Sequence, residues 1–404
     1  MKQLTRLFIP ICLETLFYML SGMVDTLMLS AVGDYAVGAV GTANSYIGIF
    51  IIMFSIISSG MVSVMTQNIG AGRPGVAYQA RQLGLLFNAV AGVLMAVFLF
   101  SGAGAILRMV GIADALYEPA LIYLKIVGGG CILNAVIPIF SSYLRAFGYT
   151  KQPLYATIVG NIANFVMNAV FLFVLHKGVA GVAAATVISK ILNLCIVLYF
   201  SHKLVSAKNS TERIANKTVL GQIVKVGLPS ACETALYNVA MMLVIRFLNQ
   251  MDAEGLNVTA RSYTATISNF SYCVGAALAQ ANAIMTGWHI GAGELEECDR
   301  GTKRAAFVGV CVAVCMETAI VLGSGFIMPL FTDNPEMTAL VRKLLAIDIV
   351  LEIGRVTNLV FGQALKTSGD AVFPAVIAAV FMFVFAVGGT WLFGISMGLM
   401  AVGA

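Results

Sequence analysis

Charge is scarce in this sequence. Only 11% of its 404 residues are Asp, Glu, Lys or Arg, against roughly 25% in a typical soluble domain. A water-facing surface cannot be assembled from so little. Histidine is scarcer still: His176, His202 and His289 are the only three, each near the end of an apolar run. HExxH, GxSxG and Walker A patterns are all missing, so metallohydrolase, serine-hydrolase and ATPase chemistry lack their machinery. We therefore expect no enzyme activity and no cofactor. The chain has no polybasic tail or lipidation motif, and its net charge of +5 does not form a nucleic-acid footprint. The eight cysteines, Cys12, Cys131, Cys195, Cys232, Cys273, Cys298, Cys311 and Cys315, lie in or at the ends of apolar runs. No histidine or carboxylate joins them at zinc spacing, so they read as packing thiols.

What is present is hydrophobic: 59% of the chain. Apolar runs exceed the roughly 20 residues needed to cross a bilayer and recur along the whole length. They place eleven spans at 7–32, 42–68, 83–104, 118–146, 152–175, 178–204, 220–250, 255–287, 302–328, 336–366 and 371–395. The first run passes Met23 and Asp25 without a cleavage site, too long for a secretory signal core. With the N-terminus inside, the inner loops hold fifteen Lys and Arg and the outer loops five. The positive-inside rule then makes the N-terminus cytoplasmic, in a multi-pass protein of the cell membrane. The longest polar connection, SHKLVSAKNSTERIANKTVL from Ser201 to Leu220, marks a boundary. Residues 1–204 form an N-terminal lobe, 205–219 a cytoplasmic linker that includes Lys208, and 220–404 a C-terminal lobe.

Those lobes repeat one another. PICLETLFY, from Pro10, and PSACETALY, from Pro229, share Pro, Glu, Thr and Tyr at an offset of 219. IGAG occurs at Ile69 and at Ile290, and RAFGYTKQP from Arg145 matches KTSGDAVFP from Lys366, both at an offset of 221. Six spans per half is an even number, so the halves are parallel repeats about an axis along the membrane normal. In each GxxxxP element Gly ends one helix and Pro starts the next. The final GLMAVGA aligns at Gly398 with Gly178, which opens the sixth span. The second half thus reads as five spans and the start of a sixth. A twelve-span protein would need at least ~20 further residues, and a chain ending here is expected not to transport.

The run VDTLMLSAVGDYAVGAVG, the two IGAG loops, LRAFGYTKQP and EIGRVTNLVFGQALKTSGDAVFP occur in an order and spacing that resembles the multidrug and toxic compound extrusion (MATE) transporters. The resemblance covers the whole chain. It implies an all-α polytopic fold, two six-helix lobes around a central cleft that rocks between inward and outward states. It further implies cation-coupled export of amphipathic, often cationic organic compounds. A monomer in contact with membrane lipid, with no nucleic-acid partner, is the expected form.

Ionisable residues inside spans cost several kcal/mol on insertion, so each is a functional candidate. Asp25 lies about four turns beyond Pro10. The resemblance assigns it to a cation site in the N-terminal lobe, with Asn164, Asn168 and Thr186 as neutral partners and H+ or Na+ as coupling ion. Asn161, Asn164 and Asn168 share a helix face by spacing. Relatives often carry a second carboxylate where this chain has Asn168. Proton exchange near pH 7 then requires desolvation of Asp25 worth roughly 4 kcal/mol.

A second stripe, Asp348, Glu352, Arg355 and Asn358, follows i+3 and i+4 spacing. Its first-half counterparts are Val127, Cys131, Asn134 and Ile137, so the stripe is private to the C-terminal lobe. We expect it to line the substrate cleft. Glu14 with Tyr18, and Glu233 with Tyr237, should face one another across that cleft and suit a lipophilic cation. Lys125, Lys190 and Arg246 read as side chains snorkelling to an interface, and Glu317 has no partner apparent in the sequence. The rival function is a lipid or lipid-linked oligosaccharide flippase of the same superfamily. A cleft for anionic pyrophosphate lipids should be lined by Arg and Lys, whereas the repeat-related candidates here are glutamates.

Overall fold

The computed structural model describes residues 2–205, 212–251, 255–330, 332 and 334–403. Among these the chain is helical throughout, without strands, as membrane-embedded backbone requires unless a barrel closes. Twelve α-helices follow in order: α1 Lys2–Ser30, α2 Asp34–Gly70, α3 Pro74–Val110, α4 Asp114–Gly129, α5 Cys131–Ala146, α6 Lys151–Ala169, α7 Gly178–Leu204, α8 Asn216–Met251, α9 Leu256–Ala292, α10 Leu295–Ile327, α11 Pro335–Ser368 and α12 Val372–Phe381. Residues 206–211 of the expected linker, including Lys208, lie outside the described residues.

Among the described residues, eight helical segments are long and apolar enough to cross a membrane. The expected single span 118–146 is instead two helices, α4 and α5, bent by 41°. The break falls at the run Gly128-Gly129-Gly130, where glycine's backbone freedom and missing side chain allow a sharp kink; taken as one span, the pair makes a ninth. α9 and α11, also expected to span, are 37 and 34 residues long. Ser, Thr and Asn along α9 and ionisable residues along α11 set them apart from the apolar helices.

Two compact units result, one of residues 5–227 and one of residues 228–404 with 1–4. The boundary falls inside α8, just before Pro229, rather than at the polar linker. The reason is a close backbone approach. A Cβ on Gly60 of α2 would strike the Ile223 carbonyl, and one on Gly227 would strike the Ile56 carbonyl. Two glycines thus let the first turns of α8 lie against α2, as small residues do at membrane helix interfaces.

Within the N-terminal unit two apolar clusters form. One gathers Leu99, Leu107, Leu124 and Leu172; the other gathers Met61, Met65, Ile139, Tyr143 and Leu144. Between them Asn88 of α3 donates to the carbonyls of Phe54 (3.2 Å) and Ala135 (3.1 Å), tying α3 to α2 and α5. In the C-terminal unit α11 packs on α9 and α10. Gly309 makes that possible, since a Cβ there would lie 2.5 Å from Leu278 and 2.9 Å from Val356.

Both IGAG elements end long helices at a left-handed glycine, Gly72 (φ 73°) and Gly293 (φ 78°). That conformation closes the helix by returning a backbone N–H to its last turn, here from Gly72 to Ile69 and from Gly293 to Ile290. The GxxxxP elements end α5 and α11 in the same manner and place Pro153 and Pro374 in the first turn of the next helix.

Candidate functional site

Asp25 sits in the last two turns of α1, half-buried, where α6 crosses it. The spacing that puts Asn164 and Asn168 on one face of α6 aims both inward. The Asn168 amide donates to Asp25 Oδ1 at 2.7 Å and to Asn164 Oδ1 at 3.1 Å. Asn168 is fully buried and Asn164 nearly so. One turn further out, Asn161 donates to the Phe17 carbonyl at 2.9 Å, pinning α6 to α1. Thr186 donates to its own helix at Val182 and stands within hydrogen-bonding reach of the Tyr123 hydroxyl, which also faces Asn44 and lies near Asp25. Tyr123 and Asn44 were not apparent from spacing, because they come from α4 and α2 while Asp25 lies on α1.

Lys190 departs from the snorkelling expectation. Its ammonium donates to Asn134 Oδ1 at 2.8 Å and lies near both Cys131 and Asp25. Lys125 and Arg246, by contrast, are exposed. Four cysteines, Cys195, Cys232, Cys311 and Cys315, are exposed on their helices rather than packed in a core. In a membrane such faces meet acyl chains, where a thiol is as well tolerated as in a core.

The two repeat-related glutamates are each held by a cation of their own unit. Arg145 meets Glu14 at 2.6 Å and Lys366 meets Glu233 at 2.8 Å. All four side chains are largely buried. The basic partners open the RAFGYTKQP and KTSGDAVFP elements, so the same kind of ion pair recurs in both units. Their aromatic companions are open: Tyr18 is 71% and Tyr237 47% exposed.

The C-terminal unit holds the densest polar cluster. Arg355 of α11 donates to Glu352 Oε1 and, at 3.1 Å, to Asp348 Oδ1. Glu317 of α10, for which spacing revealed no partner, joins them. One oxygen from each of Glu317, Asp348 and Glu352 lies within 4.8 Å of the others. Glu317 and Glu352 have no exposed surface. Asn358, on the same stripe, is exposed and outside the cluster.

A chain of membrane-crossing helices in two units, each enclosing ionisable groups, has the build of a multi-pass membrane transporter. It belongs to the MatE family: the family model so described matches residues 10–170 and 229–392. The uncharacterized transporter YisQ of Bacillus subtilis is 32% identical over 395 residues, covering 96% of this chain and 86% of that protein. Solved structures agree in fold. A MATE protein in complex with MaD3S superposes with a TM-score of 0.86 at 21% identity, covering 100% of this chain and 90% of that one. A MOP superfamily transporter from Pyrococcus furiosus, described as having a binding pocket of reverse polarity, gives 0.84 at 20% identity with the same coverage.

Proposed function

We propose that this transporter is a cation-coupled antiporter that exports amphipathic, cationic organic compounds by alternating access. It works from the cell membrane with its N-terminus in the cytoplasm. The observation that supports this best is Asp25. A carboxylate within a spanning helix is costly, and it persists where it serves an ion path. Here it is held by one amide, from Asn168, which is backed by a second, Asn164. The coupling ion, H+ or Na+, exchanges at this group; Thr186 joins the site through Tyr123, which lies near Asp25. Lys190 lies near Asp25, with its side-chain nitrogen hydrogen-bonded to Asn134.

For the cargo, Tyr18 and Tyr237 offer exposed ring faces of the kind that attract organic cations. Glu14 and Glu233 lie four residues before these tyrosines, each within an ion pair, and Asn358 adds an exposed amide. A basic residue bound to each glutamate is the arrangement to alter first if cargo charge is in question.

The test is transport in proteoliposomes. A fluorescent organic cation is followed under an imposed pH or sodium gradient, with the full-length gene product as wild type and as Asp25→Asn. Movement driven by one gradient and absent in the variant establishes antiport and names the ion. Folded protein that moves no dye under either gradient, yet scrambles a labelled lipid, overturns drug export in favour of a flippase.

A further inference from the structure

One cation of the N-terminal unit has no part in the sites described so far. Arg81 lies seven residues into α3 from Pro74, at the end of the unit where α5 and α7 finish. Tyr143 and Ser201 each lie three residues before those helices end, at Ala146 and Leu204. Aromatic rings enclose the Arg81 guanidinium. Its central carbon stands 4.4 Å from the ring centre of Tyr78, 4.8 Å from that of Tyr143 and 5.6 Å from that of Phe140. Ring faces attract a cation, but they offer no oxygen to its five N–H donors. Its one hydrogen bond among the described residues runs from Nη1 to Ser201 Oγ, at the long distance of 3.5 Å. Arg81 Nε is buried and makes no hydrogen bond, and the same holds for the hydroxyl of Tyr143, a residue with no exposed surface. The described residues supply no carboxylate to match this charge. At this end of the unit Glu14 is held by Arg145 and Glu212 is exposed, against Arg73, Lys151, Lys203, Arg213 and Lys217.

Buried polar groups are almost always satisfied. What is left over here is one-sided: N–H and O–H donors around a permanent positive charge, without an acceptor. That is the complement of a phosphate, whose oxygens take paired N–H groups from an arginine and further hydroxyls beside them. We propose that Arg81, with the hydroxyls of Tyr143, Tyr78 and Ser201, holds a phosphate group. The Tyr78 hydroxyl accepts from Gln82 at 3.1 Å and keeps its own hydrogen for the ligand. Two sources carry this chemistry, the head group of an anionic lipid and free phosphate. Level and charge favour the lipid. At 1.5 Å per residue Tyr143 and Ser201 lie about 5 Å from their helix ends, the level of the head-group zone that flanks a hydrocarbon core of roughly 30 Å. Clustered Lys and Arg at such a level attract anionic lipid. The repeat supplies no second copy, since at the offset of 221 Arg81, Tyr78 and Tyr143 correspond to Thr302, Asp299 and Ala364.

Ligand-dependent melting of the purified, delipidated full chain in detergent tests this without transport, so its outcome is independent of the export reading. The probes are phosphatidylglycerol against a diacylglycerol of the same chains, and inorganic phosphate against chloride at equal ionic strength. Phosphatidylglycerol should stabilise saturably and diacylglycerol should not. Tyr143→Phe keeps the ring and removes one hydroxyl; it should raise the half-saturating concentration about tenfold, the worth of a hydrogen bond to a charged group. Arg81→Lys keeps the charge but loses the paired N–H edge, and should raise it at least as much. Arg73→Gln, exposed at the same end, should change it little. A response to phosphatidylglycerol alone assigns a lipid ligand, and a response to inorganic phosphate assigns the free anion; either supports the site. Melting that neither phosphate probe raises above its reference overturns the proposal. So does a response that Arg81→Lys and Tyr143→Phe leave unchanged, or one that Arg73→Gln weakens as much as they do.

Discussion

Arg145 holds Glu14 at 2.6 Å across 131 residues of sequence, and both side chains are largely buried. Removing one partner of such a pair strands the other charge. Arg145→Ala should therefore lower stability by on the order of 3 kcal/mol, and the double variant with Glu14→Gln should recover part of it. Arg145→Lys should be mild, because Lys366 already plays this part for Glu233. Melting in detergent of the four forms of the cycle measures the coupling.

Lys190 and Asp25 are neighbours without a direct bond, and a like charge beside a cation site opposes the cation. Lys190→Gln keeps a hydrogen bond to Asn134 and removes the charge. The concentration of driving ion needed for half-maximal transport should fall, since a neighbouring positive charge disfavours a bound cation. A higher concentration requirement would show that Lys190 helps to hold the site open instead.

The contact between α2 and α8 is set by space. Gly60→Ala and Gly227→Ala should each destabilise by about 1–3 kcal/mol as the backbones are forced apart. Gly221→Ala is the internal comparison. It lies on α8 with nothing within 4 Å of the added carbon, and helix propensity favours Ala there by up to ~1 kcal/mol. Thermal melting should separate the first two from the third in opposite directions.

At Gly72 and Gly293 the left-handed backbone, not space, is limiting. Ala at either should cost more than the ~0.4–1 kcal/mol such a change yields at a compatible position, with the sign reversed. Asn, which tolerates that conformation, should cost less. The same melting experiment reads the order Gly, Asn, Ala.

Much of this architecture is legible from residue order, and what escaped has physical causes. Asn164 and Asn168 could be read as one face of a helix from their spacing, and their place beside Asp25 from the family resemblance. The α11 stripe could be read from spacing as well. Glu317 could not be joined to it by spacing, since its partners lie on another helix; the cost of a lone carboxylate within a span was the available signal. Lys190 was misread as snorkelling. It lies twelve residues after Gly178 and fourteen before Leu204, so at 1.5 Å per residue it is roughly 18 Å from one end of α7 and roughly 21 Å from the other. A lysine side chain cannot cover that distance. The kink between α4 and α5 was visible as three consecutive glycines but was absorbed into one long apolar run.

The recurrence of the glutamate ion pair has a practical consequence. Because Glu14–Arg145 and Glu233–Lys366 occupy matched places in two units of one polypeptide, each serves as a built-in reference for the other. A label or substitution at one pair can be read against the untouched pair in the same molecule, at the same concentration and in the same bilayer. Differences between the halves then report what each half does, free of variation between preparations.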